Sequence, residues 1–182
     1  MGERVRVGLL GCGRIGKMHA DLLATRIGGA SLAAVYDVVP EAARASGEPY
    51  GATVATTPEE LMADPSVDAI AICSSTDTHI DLLVAAAETG KPVFIEKPLS
   101  LDLADVERGV AAVKRSGIAV QVGFNRRFDA SHRSVRDRVA AGDVGDVHLV
   151  RITSRDPAPP PIAYIEVSGG IFCDMTIHDF DM

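Results

Sequence analysis

The feature that most constrains this chain is an apolar run breaking into three spaced glycines, V-R-V-G-L-L-G-C-G-R-I-G, from Val5 to Gly16. A strand that feeds a G-x-G-x-x-G turn and then opens a helix leaves uncommitted backbone N–H groups at the helix N-terminus, where the helix dipole favours an anion. Gly11 permits the tight turn, Gly13 lets backbone amides approach a diphosphate, and Gly16 lets the helix lie close to the strand. Together with Arg14 and Ile15 these residues form a candidate dinucleotide cradle. The spacing alone also describes an ordinary glycine-rich turn.

The segment after the turn separates the two readings. A helical pattern from Arg14 to Ile27 stops at Gly28-Gly29, and a second strand, Ser31 to Tyr36, delivers Asp37 at its C-terminal end. That is roughly 20 residues beyond the last glycine, where an acidic side chain accepts hydrogen bonds from the ribose hydroxyls of a dinucleotide. The same charge repels a 2′-phosphate, and Val38 and Val39 bring no cation to offset it, so NAD is expected rather than NADP.

Strand and helix patterns go on alternating, which predicts an α/β fold. Ala52 to Ala55, Val67 to Cys73, Pro92 to Ile95 and Ile118 to Val122 read as further strands. T-P-E-E from Thr57 is a capping box, Ser74 to Thr78 opens a helix that stops at Gly90, and Leu101 to Arg115 is a helix closed by Ser116-Gly117. Six strands complete a Rossmann doubly wound parallel sheet, followed by an incomplete α+β second domain. The expected division is 1–123 for an NAD-binding domain and 124–182 for the start of a substrate and oligomerisation domain. In the latter, a charged helix from about Ala130 to Ala141 and a strand from Val147 to Ile152 precede the prolines of 157–161, which must form a loop. Gly169 to Met182 has a mixed helical pattern that ends without a cap, and one strand with one helix cannot bury a second core.

With 182 residues, 47% of them apolar, a full core is within reach. A net charge of −7 and scattered Lys and Arg residues exclude an electrostatic footprint for nucleic acid. There is no basic leader with an apolar core, and no apolar run approaches the ~18 residues of a membrane helix, so a soluble cytoplasmic protein is expected. Cys12, Cys73 and Cys173 are odd in number and lack C-x-x-C spacing, which suggests small apolar residues rather than a disulfide or zinc framework. No metal site is expected.

Three segments carry candidate chemistry. Glu96-Lys97-Pro98 follows the fifth strand at the carboxyl edge, where doubly wound sheets bind ligands. Proline biases the preceding lysine away from helical geometry and admits a cis peptide, so Lys97 is either an aimed ammonium that stabilises a developing alkoxide or a solvated turn. Asp174 and His178 are spaced to share one face of a helix, and the histidine suits a general base for a hydroxyl proton. A surface pair and a metal pair are the other readings, while Asp179 and Asp181 face elsewhere and are expected in solvent. Ser74, Thr76 and His79 lie at the cofactor edge, His79 as a cap or a nicotinamide-side contact, whereas His19, His132 and His148 read as surface or packing residues.

The ordered set G-C-G-R-I-G, E-K-P, G-F-N-R-R-F and S-G-G-I-F-C-D-M-T-I-H-D-F-D-M resembles the Gfo/Idh/MocA oxidoreductases over the whole chain, and most of all the members that act on inositols. The resemblance implies NAD-dependent oxidation of myo-inositol to its 2-keto form, scyllo-inosose. It assigns Lys97, Asp174 and His178 as the catalytic set, Arg127 as a further polyol contact, and Glu96 and Lys97 to the cofactor edge. It also implies a homo-oligomer, dimer or tetramer, and a longer chain carrying a large open sheet. A different sugar or polyol substrate and a non-catalytic NAD-binding sensor are the alternatives.

Overall fold

The computed structural model describes residues 4–155 and 158–182, which fall into two compact units that meet in sequence at Gly123 and Phe124. The first is built on a six-stranded, all-parallel sheet. Its strands are β1 (Val5–Leu10), β2 (Ala30–Tyr36), β3 (Thr53–Val54), β4 (Ala69–Ile72), β5 (Val93–Ile95) and β6 (Val120–Val122), in the spatial order β3-β2-β1-β4-β5-β6. This is the doubly wound Rossmann order, with its topological switch between β1 and β4.

Strand alternation sends side chains to two cores. Val7, Leu9, Leu32, Val35, Ala71 and Cys73 pack on one face, beneath α1 (Arg14–Thr25) and α2 (Pro40–Gly47). Leu10, Ile70, Ile72, Val93 and Ile95 pack on the other, beneath α3 (Pro58–Ala63), α4 (His79–Glu88) and α5 (Leu103–Ser116). Central strands covered on both sides read as near-continuous apolar runs, as β1 and β4 do.

Local signals set the helix ends. Thr57 caps α3 by accepting the Glu60 N–H at 3.0 Å, while the Glu60 carboxylate accepts the Thr56 N–H at 2.7 Å. Asp102 caps α5 by accepting the Ala104 N–H at 2.8 Å, and Gly117 closes it at φ +69°. Helix α2 is not among the expected elements, because its P-E-A-A-R-A-S-G offers few large apolar residues from which to see a period.

In the second unit a short 3₁₀ turn (Asn125–Phe128) precedes α6 (Ala130–Ala140), α7 (Ile162–Val167), α8 (Gly170–Asp174) and α9 (Ile177–Phe180). The strand expected over Val147 to Ile152 is not formed: those residues are irregular, and Leu149 is 82% exposed. Alternation specifies a strand only when a neighbour supplies ladder partners, and the described residues of this unit contain none. None of its described residues is buried.

Candidate functional site

The nucleotide edge lies where β1 and β4 end. Gly11 adopts φ +93°, and a Cβ there would fall 2.4 Å from the Ser74 backbone nitrogen. A Cβ on Gly16 would fall 1.9 Å from the Gly11 carbonyl oxygen, so α1 can approach β1 only through glycine. Gly13 is the opposite case, since a Cβ there would meet nothing within 4 Å. It sits at the N-cap of α1 in extended conformation, no side chain caps the helix, and no acidic residue occupies its first turn. The amides of Arg14, Ile15 and Gly16 therefore open onto clear space beside Gly13, which fits a diphosphate.

Asp37 is fixed beside this turn. One carboxylate oxygen accepts the Cys12 N–H at 2.6 Å and the other accepts the Val39 N–H at 2.8 Å. Both bonds orient the group and leave further lone pairs for ribose hydroxyls. Burial pushes the Cys12 thiol up to about 11, so this cysteine in the glycine turn is an inert filler, not a thiolate nucleophile.

Across the switch point, the Ser74 hydroxyl lies 2.7 Å from that of Thr78, which donates to the Ser75 carbonyl at 2.8 Å. Thr76 begins the 3₁₀ turn (Thr76–Thr78) that leads into α4. His79 is 1% exposed, with Nδ1 2.8 Å from the Pro98 carbonyl and Nε2 3.1 Å from the Ser74 carbonyl. Both ring nitrogens face backbone carbonyls, and a neutral ring donates to one of them, which is a structural role of the kind the sequence also allowed.

Glu96 extends β5, and its N–H donates to the Ile72 carbonyl at 2.9 Å. Strand alternation places its side chain on the Phe94 side, toward α1, where Oε1 accepts from His19 Nε2 at 2.9 Å. The other oxygen accepts the Lys97 N–H at 3.3 Å, and the Lys97–Pro98 peptide is cis. The carboxylate is thus held between His19 of α1 and the Lys97 backbone. His19, expected as a surface or packing residue, also sets its ring edge-on to Phe94 with centroids 5.2 Å apart. The period-two placement of Phe94 and Glu96 is the one signal in the sequence that points to this pair.

Arg127, Asp174 and His178 belong to the second unit. Asp174 ends α8 and His178 lies in α9, with Met175 and Thr176 breaking the helix between them, so the expected single-helix face does not exist. The Asp174 carboxylate accepts the Tyr164 hydroxyl at 2.7 Å, and the His178 ring lies edge-on to Phe124 with centroids 6.3 Å apart. Asp179 and Asp181, expected in solvent, are both engaged. Arg126 donates to Asp179, and Arg127 forks onto Asp181 at 2.7 and 2.6 Å, leaving the aspartate side chain 8% exposed. Bidentate guanidinium–carboxylate geometry explains why these aspartates are drawn in. Among the described residues no group of three His, Cys, Asp or Glu lies together as metal ligands, and no helix is long and apolar enough to cross a membrane.

Residues 5–124 match the family model described as the oxidoreductase family with an NAD-binding Rossmann fold, and residues 132–182 match the GFO/IDH/MocA C-terminal domain. The chain belongs to the Gfo/Idh/MocA family. It is similar to the myo-inositol 2-dehydrogenase of Thermotoga maritima, 51% identical over 98% of this chain and 53% of that protein. It is likewise similar to the inositol 2-dehydrogenase of Rhizobium meliloti, 48% identical over 98% of this chain and 53% of the relative. The Lactobacillus casei scyllo-inositol dehydrogenase structure, solved with bound NAD(H) and scyllo-inositol, superposes with a TM-score of 0.90 at 34% identity, covering 98% of this chain and 55% of that one. The chain spans about half the length of the curated relatives it matches.

Proposed function

We propose that the protein is an NAD-dependent inositol dehydrogenase that oxidises the C2 hydroxyl of myo-inositol to the ketone, giving 2-keto-myo-inositol (scyllo-inosose). The supporting observation is the glycine turn: side-chain-free space at Gly13, uncapped α1 amides and a clamped Asp37, in a family member about half identical to two inositol dehydrogenases.

Bound NAD supplies the hydride acceptor. The amides at Gly13, Arg14, Ile15 and Gly16 hold the diphosphate over the turn that Gly11 permits, its own N–H being spent on the Tyr36 carbonyl; Asp37 holds the ribose hydroxyls, and Ser74 and Thr76 line the same edge. Glu96 and His79 serve that edge from behind, through the backbone. The Lys97 ammonium polarises the substrate hydroxyl and stabilises the alkoxide, His178 receives the hydroxyl proton, and Asp174 orients the substrate. Since two donors of Arg127 are already forked onto Asp181, its polyol contact falls to the guanidinium edge facing away from that aspartate. Residues 1–123 act as the NAD-binding domain and 124–182 begin the substrate and oligomerisation domain of a cytoplasmic dimer or tetramer.

The full-length protein should form NADH with myo-inositol, read at the cofactor's absorbance, and Lys97→Ala should lose at least about 100-fold in kcat. Wild-type turnover by that variant refutes the role of Lys97. The scyllo-inositol relative supports a second reading, in which that isomer is preferred, and kcat/KM for the two isomers decides between them. NAD binding without turnover of any polyol or sugar would replace both with a sensor.

A further inference from the structure

Lys97 is gripped through both of its sequence neighbours, and each grip comes from a histidine on a different face of the sheet. On the α1 side, His19 Nε2 holds Glu96 at 2.9 Å. That carboxylate is wedged against the end of β6, where a Cβ on Gly123 would lie 3.0 Å from Glu96 Oε2, and the Gly123 N–H continues the ladder to the Ile95 carbonyl at 2.8 Å. On the α4 side, His79 Nδ1 lies 2.8 Å from the Pro98 carbonyl, to which it donates when it carries the ring proton, and its other nitrogen lies near the Ser74 carbonyl at the end of β4.

We propose that His19 and His79 are positioning residues that together brace the Lys97 backbone from the two faces of the sheet. The inference rests on the reading of Lys97 as the group that polarises the substrate hydroxyl. A lysine stem carries about 2 kcal/mol of rotamer entropy, so an ammonium aimed at a reacting atom gains from a backbone that cannot shift. Displacement of a reacting group by about 1 Å costs about 100-fold in rate. Removing the ring alone leaves the Pro98 carbonyl without its partner, at a cost in stability, so a brace is read from kcat and its rescue and not from stability.

Substitutions that keep or remove one donor at each position, made in the full-length protein, provide the test. Asparagine at 79 retains a donor close to the ring's Nδ1, and glutamine at 19 retains one close to Nε2, whereas leucine removes both while filling the space. At saturating NAD His79→Leu should lower kcat about 100-fold, and His79→Asn should recover most of that loss. His19→Leu should lose about tenfold and His19→Gln should recover it. In a Lys97→Ala background neither leucine variant should lower kcat further, because residues acting through one group are non-additive.

Leucine variants with wild-type kcat, or with the same loss in the Lys97→Ala background, overturn the brace. If His79→Leu fails to fold, the partly exposed His19 pair decides by the same criteria. A Lys97→Ala enzyme with wild-type kcat would sink the reading of Lys97, and the reason for a brace with it.

Discussion

The second and third glycines of the phosphate turn make opposite predictions. Gly16→Ala places a methyl 1.9 Å from the Gly11 carbonyl oxygen, backbone against backbone, with no side chain that can swing aside. Regaining roughly 3.5 Å requires α1 to retreat by about 1.5 Å. Overpacking of this kind costs about 3 kcal/mol, which lowers the Tm by about 12 °C in a unit of this size and moves the amides that receive the diphosphate. Gly13→Ala meets nothing within 4 Å, and φ −69° with ψ −164° suits alanine. The gain of about 0.4–1 kcal/mol from a stiffer unfolded chain offsets a similar loss at the N-cap, so the Tm should stay within about 4 °C. The methyl occupies the diphosphate's space, however, and the NAD dissociation constant should rise at least about tenfold, or ~1.4 kcal/mol. Thermal unfolding and titration calorimetry on both variants separate fold from function. A Gly16→Ala chain melting near the parent, or a Gly13→Ala chain with unchanged NAD affinity, would refute the reasoning.

Further expectations concern charge and access. Replacing Asp37 and Val38 by Ser and Arg removes a carboxylate repulsion of about 3 kcal/mol per phosphate charge at ~5 Å, so the NADP/NAD affinity ratio should rise by up to about 100-fold, and no change in competitive titrations would contradict the role of Asp37. Arg6 donates to Asp68 and holds its carboxyl down at about 2, against 3.8 when unperturbed. Because the folded value is depressed, the stabilisation is complete above the unfolded value and is lost as pH falls from about 4 to about 2. The stability difference between wild type and Asp68→Asn, from urea unfolding, should shrink over that window and stay constant above it; a difference that persists below pH 2 would argue otherwise. Cys12 and Cys73 are buried, with thiols pushed up chiefly by burial, while Cys173 is half-buried. Alkylation of the native chain at pH 8 should label Cys173 first, with the other two following only in denaturant, and early loss of Cys12 would contradict its placement.

Legibility from sequence tracks distance along the chain. From Val5 to Asp37 every cue is local, and strand, glycines, helix and acid appear where their spacing puts them. Val147 to Ile152 has the alternation of a strand but no partner, and D-M-T-I-H has helical spacing across a break at Met175-Thr176. Periodicity states a preference that pairing and packing either realise or override. The engagement of Asp179 and Asp181 is hidden in the sequence because their arginine partners lie more than fifty residues earlier. The His19–Glu96 pair spans 77 positions, and only topology brings its members together.

The closeness of Gly11 to Ser74 has a consequence for how the chain becomes competent. The nucleotide fingerprint is contiguous on paper, yet half of its wall is translated some sixty residues later, when β4 docks beside β1. A nascent chain ending before β4 would carry every glycine of the motif and still have no crevice. The nucleotide crevice therefore belongs to the pairing of two strands and not to the motif that marks it.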